Sequence, residues 1–175
     1  LLKLDLFIEI EVNNFFIFNL LFTLSILYFF NLFGKLFLGD NGVYLISVIF
    51  GYFLINIYSN NSSISPYFIV LILWYPAFEN LFSLIRKLIK KISPMLPDTN
   101  HFHQLLYFFL KDKFFKNNTV ANSVAANLIN FYNGIIFAVS INDISKTNLQ
   151  LSLIIFNIFV YLIIYVNLYK YKHLK

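Results

Sequence analysis

Five long apolar stretches leave this chain few architectures to fold into. They cover residues 15–33, 43–58, 67–88, 120–139 and 149–169. A helix crosses the hydrocarbon layer of a bilayer with about 20 mostly apolar residues, and each stretch comes near that length. Every backbone N–H and C=O in lipid needs an internal partner, which makes helices the default. The expected fold is therefore all-α: a multi-pass transmembrane helix bundle with about five spans. Composition closes the other routes. The 175 residues are 59% hydrophobic and 12% charged, against about 25% charged for an average soluble domain. A soluble globule of this size leaves about a third of its unfolded surface exposed and could not hide so much apolar area. A disordered chain needs the opposite composition. The absence of cysteine removes disulfides, iron–sulfur clusters, Cys-based zinc sites and a catalytic thiol.

Turn-forming residues separate the stretches: Gly39 to Gly42, Asn60 to Ser63, Pro94 with Pro97, and Asn142-Asp143. Eleven of the thirteen Lys and Arg residues then fall on one side of a five-span map, and only Lys3 and Lys146 on the other. The positive-inside rule makes the richer side cytoplasmic, and with it the C-terminus. Topology thus accounts for the net charge of +5, and no basic motif with stacking aromatics argues for nucleic acid. Residues 4–12 partly alternate apolar and acidic side chains, as a short strand or a helix end would. A short amphipathic helix is expected from about Gln104, lying along the cytoplasmic face, with residues 111–118 as its polar end.

Two cytoplasmic loops, at about 34–42 and 89–118, hold polar residues that topology does not require. In the first, Asp40 stands between Gly39 and Asn41-Gly42, so nothing bulky shields its carboxylate. Asp40 or Asn41 can cap the following helix. Asp40 can equally hold Mg²⁺, which takes one or two carboxylates and fills its other positions with water and phosphate oxygens. The second loop contains Pro97-Asp98-Thr99-Asn100-His101-Phe102-His103. His101 and His103 are two apart and would not share a helix face. They suit half of a zinc site, which then needs further ligands, phosphate binding by imidazole N–H donors, or a polar surface loop. The run Arg86-Lys87-Leu88-Ile89-Lys90-Lys91 reads as an anchor that stops the third span. Glu79 lies inside that span after Pro76, and an ionisable residue there faces a bundle interior or a polar cavity. The asparagines of the fourth stretch suit bonds between helices.

The order Phe37-Leu38-Gly39-Asp40-Asn41-Gly42, a span, Pro76 to Glu79, Arg86-Lys87, Ser93-Pro94 and Pro97-Asp98-x-x-His101-x-His103 resembles glycosyltransferase family 4. These are the polyprenyl-phosphate N-acetylhexosamine-1-phosphate transferases, the phospho-N-acetylmuramoyl-pentapeptide transferases among them. The likeness runs from about Phe33 to about Leu106. It implies a multi-pass enzyme of the bacterial plasma membrane that moves a sugar 1-phosphate from a UDP-N-acetylhexosamine to a polyprenyl phosphate such as undecaprenyl phosphate. UMP is released, and the product serves cell-envelope polysaccharide synthesis. It implies that Asp40 is the catalytic carboxylate and binds Mg²⁺, or Mn²⁺ in its place, and that Asn41 binds substrate. It also implies that His101 and His103 contact the nucleotide diphosphate, supported by Asp98. A homodimer is compatible with it.

The chain departs from the family pattern at Gln104, where many members carry another histidine, at Ile92, where many carry a basic residue, and at Val43, where a small residue is common. These departures point toward a branch serving surface polysaccharide, or toward relaxed constraint, rather than a core peptidoglycan enzyme. The family's Asp-Asp pair and Asn-x-x-Asn-x-x-Asp segment have no counterpart before Phe33, and the chain starts at Leu1 with Met95 as its single methionine. The expectation is a C-terminal half of such an enzyme, with an incomplete site as it stands. A non-catalytic membrane protein, such as a small transporter or an assembly partner, is the alternative reading, with Asp40 and Glu79 as pathway carboxylates.

Overall fold

The computed structural model describes residues 14–93 and 95–174. The segment 4–12 and the turn at Pro94 lie outside the described residues. The described residues form seven helices and no strand: α1 (Asn14–Leu32), α2 (Gly39–Asn60), α3 (Pro66–Ile72), α4 (Trp74–Ile89), α5 (Phe102–Lys113), α6 (Asn118–Ile141) and α7 (Thr147–His173). The chain divides into two compact units, Leu1–Ile64 and Ser65–Lys175.

The first unit carries α1 and α2, of 19 and 22 residues. At about 1.5 Å per residue each is long enough to cross the hydrocarbon layer. α1 shows apolar side chains on all its faces, Phe15 and Phe18 being about 70% exposed, as a lipid-facing helix does. Its polar side chains turn back on their own helix. Asn19 Nδ2 donates to the Phe15 carbonyl at 2.8 Å, and Ser25 Oγ to the Leu21 carbonyl at 2.7 Å, so neither leaves an unmet group in lipid. Between the helices Asn31 Nδ2 holds the Leu36 carbonyl at 3.1 Å. Gly39 has φ +67, a left-handed conformation that costs a side chain about 1–2 kcal/mol.

In the second unit the third apolar stretch is not one straight helix. α3 and α4 meet at a 70° bend around Leu73, which has φ −94 and ψ 2. Pro76 explains the position. Its ring clashes with the carbonyl four residues earlier, that of Ile72, the last residue of α3, while in the first turn of α4 its missing N–H is no loss. α5 also departs from expectation. It starts at Phe102 and ends at Lys113, with α6 already beginning at Asn118. It does not lie loose along a surface, because it packs on α6 and α7 through buried Phe102, Leu105 and Leu110. At 12 residues it is too short to cross a bilayer.

The core of this unit joins Leu71, Trp74, Phe102, Leu105, Ile129, Tyr161 and Tyr165. Polar side chains tie the long helices together. Trp74 Nε1 donates to Asn133 Oδ1 at 2.9 Å, the Tyr132 hydroxyl to Asn157 Oδ1 at 2.5 Å, and Ser140 Oγ to Gln150 Oε1 at 2.6 Å. Asn133 thus bridges helices as the fourth stretch suggested, whereas Asn127 bonds the Ser123 carbonyl of its own helix at 2.7 Å. The chain is an all-α, multi-pass helical bundle. Among the described residues four helices are long and apolar enough to cross a membrane, and the bent pair α3–α4 passes the same test together, as a broken span or a re-entrant loop.

Candidate functional site

The residues predicted from the second loop, Asp98, His101 and His103, gather in the second unit, where the end of α4, the loop after it, the start of α5 and the C-terminal part of α7 meet. α4 lines up Glu79, Ser83 and Arg86 at helical spacing, so that one face carries all three. Both Glu79 and Ser83 are buried. α7 opposes them with Tyr161 and Tyr165, one turn apart and both buried.

Asp98 fastens the loop. Its Oδ2 pairs with the Arg86 guanidinium and takes a bond from Ser83 Oγ at 3.3 Å, while its Oδ1 accepts the Asn100 N–H at 2.9 Å. Burial alone would raise the Asp98 carboxyl. The Asn100 N–H and the Arg86 charge outweigh it and hold the group below the usual carboxylate value, with His101 acting in the same direction. Arg86 is more than a topological anchor. Its Nη1 donates to the Asn100 carbonyl at 2.9 Å and to the Tyr165 hydroxyl at 2.5 Å, and its guanidinium lies 5.6 Å from the Tyr165 ring centre. Lys172, from α7, donates to the Thr99 carbonyl at 2.7 Å and to Asn100 Oδ1 at 3.0 Å. Gln104, turned as its surroundings require, donates to the carbonyls of Asp98 and Thr99 at 3.1 Å each.

The histidines sit just beyond. His101 is the residue before the first turn of α5, in extended backbone with φ −68 and ψ 148. That conformation brings its ring beside the His103 ring, at 5.8 Å between centres and 19° between planes. As expected the two do not share a helix face, because only His103 is inside the helix. His101 Nδ1 lies 2.9 Å from Glu79 Oε1, which also accepts the Phe102 N–H at 3.0 Å. The Tyr161 hydroxyl donates to Glu79 Oε2. Desolvation holds the His103 imidazole below its ordinary value. The Glu79 carboxylate pulls it upward and His101 pushes it down, and the net direction stays downward.

Asp40 and Asn41 belong to the first unit. Neither caps α2. The capping position is Leu38, in helical conformation, and no side chain bonds the first turn. Asp40 is the second residue of the helix, exposed, where the positive end of the helix dipole favours a carboxylate. The carboxylate and amide oxygens of Asp40 and Asn41 are hard donors of the kind Mg²⁺ takes, and one carboxylate suffices when water and phosphate oxygens complete the shell. Among the described residues no three His, Asp or Glu side chains come together to hold a metal ion on their own. A zinc site built on His101 and His103 therefore lacks its further ligands among those residues.

An apolar cavity of about 230 Å³ opens beside the histidine loop, between α4, α5, α6 and α7. Trp74, Tyr75, Phe102, Tyr132 and Tyr161 contribute to its wall. The Tyr75 hydroxyl is buried without a partner among the described residues.

Sequence reasoning missed Arg86, Tyr161, Tyr165 and Lys172 as parts of this site. Arg86 was hidden in a run of cations. The tyrosines carried a signal: Asn157, Tyr161 and Tyr165 recur every four residues along an otherwise apolar α7, which marks one polar-edged face. Comparison with protein-family models, with curated proteins and with solved structures finds no match.

Proposed function

We propose that this chain carries the magnesium turn and the histidine loop of a membrane transferase of the glycosyltransferase family 4 type. The reaction moves an N-acetylhexosamine 1-phosphate from a UDP-sugar to a polyprenyl phosphate and releases UMP. The observation that carries this reading is the pair of adjacent imidazoles, His101 and His103, on a loop that Arg86, Asp98 and Lys172 hold in one shape. Phosphoryl transfer is largely a matter of positioning and of balancing charge, and a rigid loop presenting imidazoles suits that task.

In this reading Asp40 would hold Mg²⁺, an ion that supplies charge neutralisation to phosphate groups, and Asn41 would contact substrate. His101 and His103 orient the diphosphate oxygens, and Asp98 keeps the loop in register. The apolar cavity next to Phe102 and Tyr161 takes the first isoprene units of the lipid acceptor, since its wall is almost wholly apolar. The cations of the second unit support a cytoplasmic placement of the loop in a bacterial plasma membrane. Those of α4, the following loop, α5 and the end of α7 lie at the end that carries the histidines. Lys146 lies at the opposite end, where Ser65 meets Thr147.

The test is UMP release by membranes containing the full-length protein, with UDP-N-acetylhexosamine and polyprenyl phosphate supplied. Release should require Mg²⁺ and the lipid phosphate. Asp40→Asn should abolish it while membrane insertion is unchanged. Full turnover by that variant rules out the metal role.

A further inference from the structure

We propose that Glu79 is a positioning residue that fixes His101 as the Nδ1–H tautomer, so that a phosphate oxygen can bind at His101 Nε2 only together with a proton. The proposal deepens the transferase reading and rests on it for the identity of the ligand as a diphosphate. The geometry comes from three donors converging on one carboxylate. Glu79 is 7% exposed. Its Oε1 accepts the backbone N–H of Phe102 at 3.0 Å, a group that can only donate. The same oxygen faces His101 Nδ1 at 2.9 Å, so Nδ1 must carry the hydrogen that points to it. Tyr161 completes the arrangement by donating its hydroxyl to Oε2. The carboxylate is thus held from α4, from the start of α5 and from α7, and cannot swing away from the ring.

The consequence lies on the other side of the imidazole. In the neutral ring with Nδ1 protonated, Nε2 carries a lone pair. A phosphate oxygen is an acceptor as well, so the two repel until one proton lies between them. Glu79 favours that state, because its negative charge offsets the charge of the resulting imidazolium. The charged and titratable groups that face His101 are Glu79 from α4, Asp98 from the loop and His103 from α5.

The probe is inorganic diphosphate, added to the full chain in lipid nanodiscs at about pH 8, where an ordinary histidine is mostly neutral. Side-chain ¹⁵N NMR should report His101 with a protonated Nδ1 and a bare Nε2, becoming doubly protonated as diphosphate is added. Calorimetry in two buffers of different ionisation enthalpy should find uptake of about one proton per diphosphate, lost in His101→Ala. Glu79→Gln keeps an acceptor for the Phe102 N–H and Nδ1–H, removes the charge, and puts an N–H donor where Oε2 accepts the Tyr161 hydroxyl, a loss that Tyr161→Phe controls for. It should weaken diphosphate binding by about 10–100-fold, the usual effect of removing an orienting partner. Tyr161→Phe should weaken it less, with the tautomer retained. A neutral His101 protonated at Nε2, or undiminished binding in Glu79→Gln, overturns the proposal and leaves the transfer assay untouched. A chain with the expected tautomer that binds no diphosphate overturns its anion step. Absence of UMP release by the full-length protein, with the NMR and proton uptake as expected, sinks the transferase reading alone.

Discussion

Arg86 and Asp98 form an ion pair whose side chains are only 10% and 9% exposed, and the loop that carries both histidines hangs on it. Removing one partner of a buried pair leaves the other charged and unmet, at a cost of about 3–5 kcal/mol. Arg86→Ala should therefore lower the unfolding temperature in detergent strongly and make residues 92–100 the first site of proteolysis. Arg86→Lys should lie between the two. It keeps the charge, but one ammonium cannot reach Asp98, the Asn100 carbonyl and the Tyr165 hydroxyl together. A variant with unchanged protease resistance would show that the loop is held by its prolines and not by the pair.

Stability should fall as the solution is acidified, in two separate windows. The Asp98 carboxyl is held below its ordinary value in the fold. Its contribution is present above the unfolded value of about 3.9 and is lost as pH falls through the depressed one. The His103 imidazole is also held low, so the folded state binds that proton less readily. Its contribution is present above about pH 6.5 and lost as pH falls through the depressed folded value. Unfolding temperature measured against pH should show both slopes. His103→Gln should flatten the upper window, and Asp98→Asn the lower one, at the expense of stability at neutral pH.

The first turn of α2 depends on two glycines for different reasons. Gly39 needs its positive φ of +67, so Gly39→Ala should cost about 1–2 kcal/mol. Gly42 has ordinary backbone, but a Cβ there would meet Leu38 Cγ at 2.7 Å. Gly42→Ala should push the Leu38 side chain aside and loosen the same turn. Faster hydrogen exchange of the amides at 40–43 in both variants checks this. Since Asp40 lies in that turn, both variants should also weaken the Mg²⁺ dependence of transfer under the proposed function.

The spans were legible because lipid demands long apolar runs, and nothing else in a short chain produces five of them. The break at Leu73 was legible in Pro76, whose ring opens the helix beside it, but the size of the bend, 70°, depends on packing that no residue type announces. Asp98, His101 and His103 were legible because they are neighbours in the chain. Their partners were not. Arg86 comes from 12 residues before Asp98, and Tyr161 from 82 residues after Glu79. Spacing rules act within one helix and say nothing about which two helices meet. Asp40 was readable as exposed and flanked by glycines, but its place inside the first turn, and not before it, depends on how Leu38 folds.

The far end of the second unit offers a test of how polar side chains join spans. Gln150 and Ser140 are both fully buried. Ser140 Oγ donates to Gln150 Oε1 at 2.6 Å, while Gln150 Nε2 donates to the Ser140 carbonyl at 3.2 Å and to the Asp143 carbonyl at 2.9 Å. These carbonyls lie at and just past the end of α6, and each also accepts a backbone N–H at 3.3 Å, Ser140 from Asp143 and Asp143 from Lys146. Gln150→Leu should cost about 1–3 kcal/mol, because it strands the buried Ser140 hydroxyl and removes the side-chain donor from both carbonyls. Ser140→Ala should cost less, since both carbonyls keep their donor. If the pair acts as a unit, the double variant should cost less than the sum of the two. The coupling should be about 0.6–1.7 kcal/mol, the range for hydrogen bonds between spans. Unfolding measured in bilayers for the four proteins of the cycle supplies the number. Strict additivity would mean that apolar packing alone holds α6 against α7 at this end.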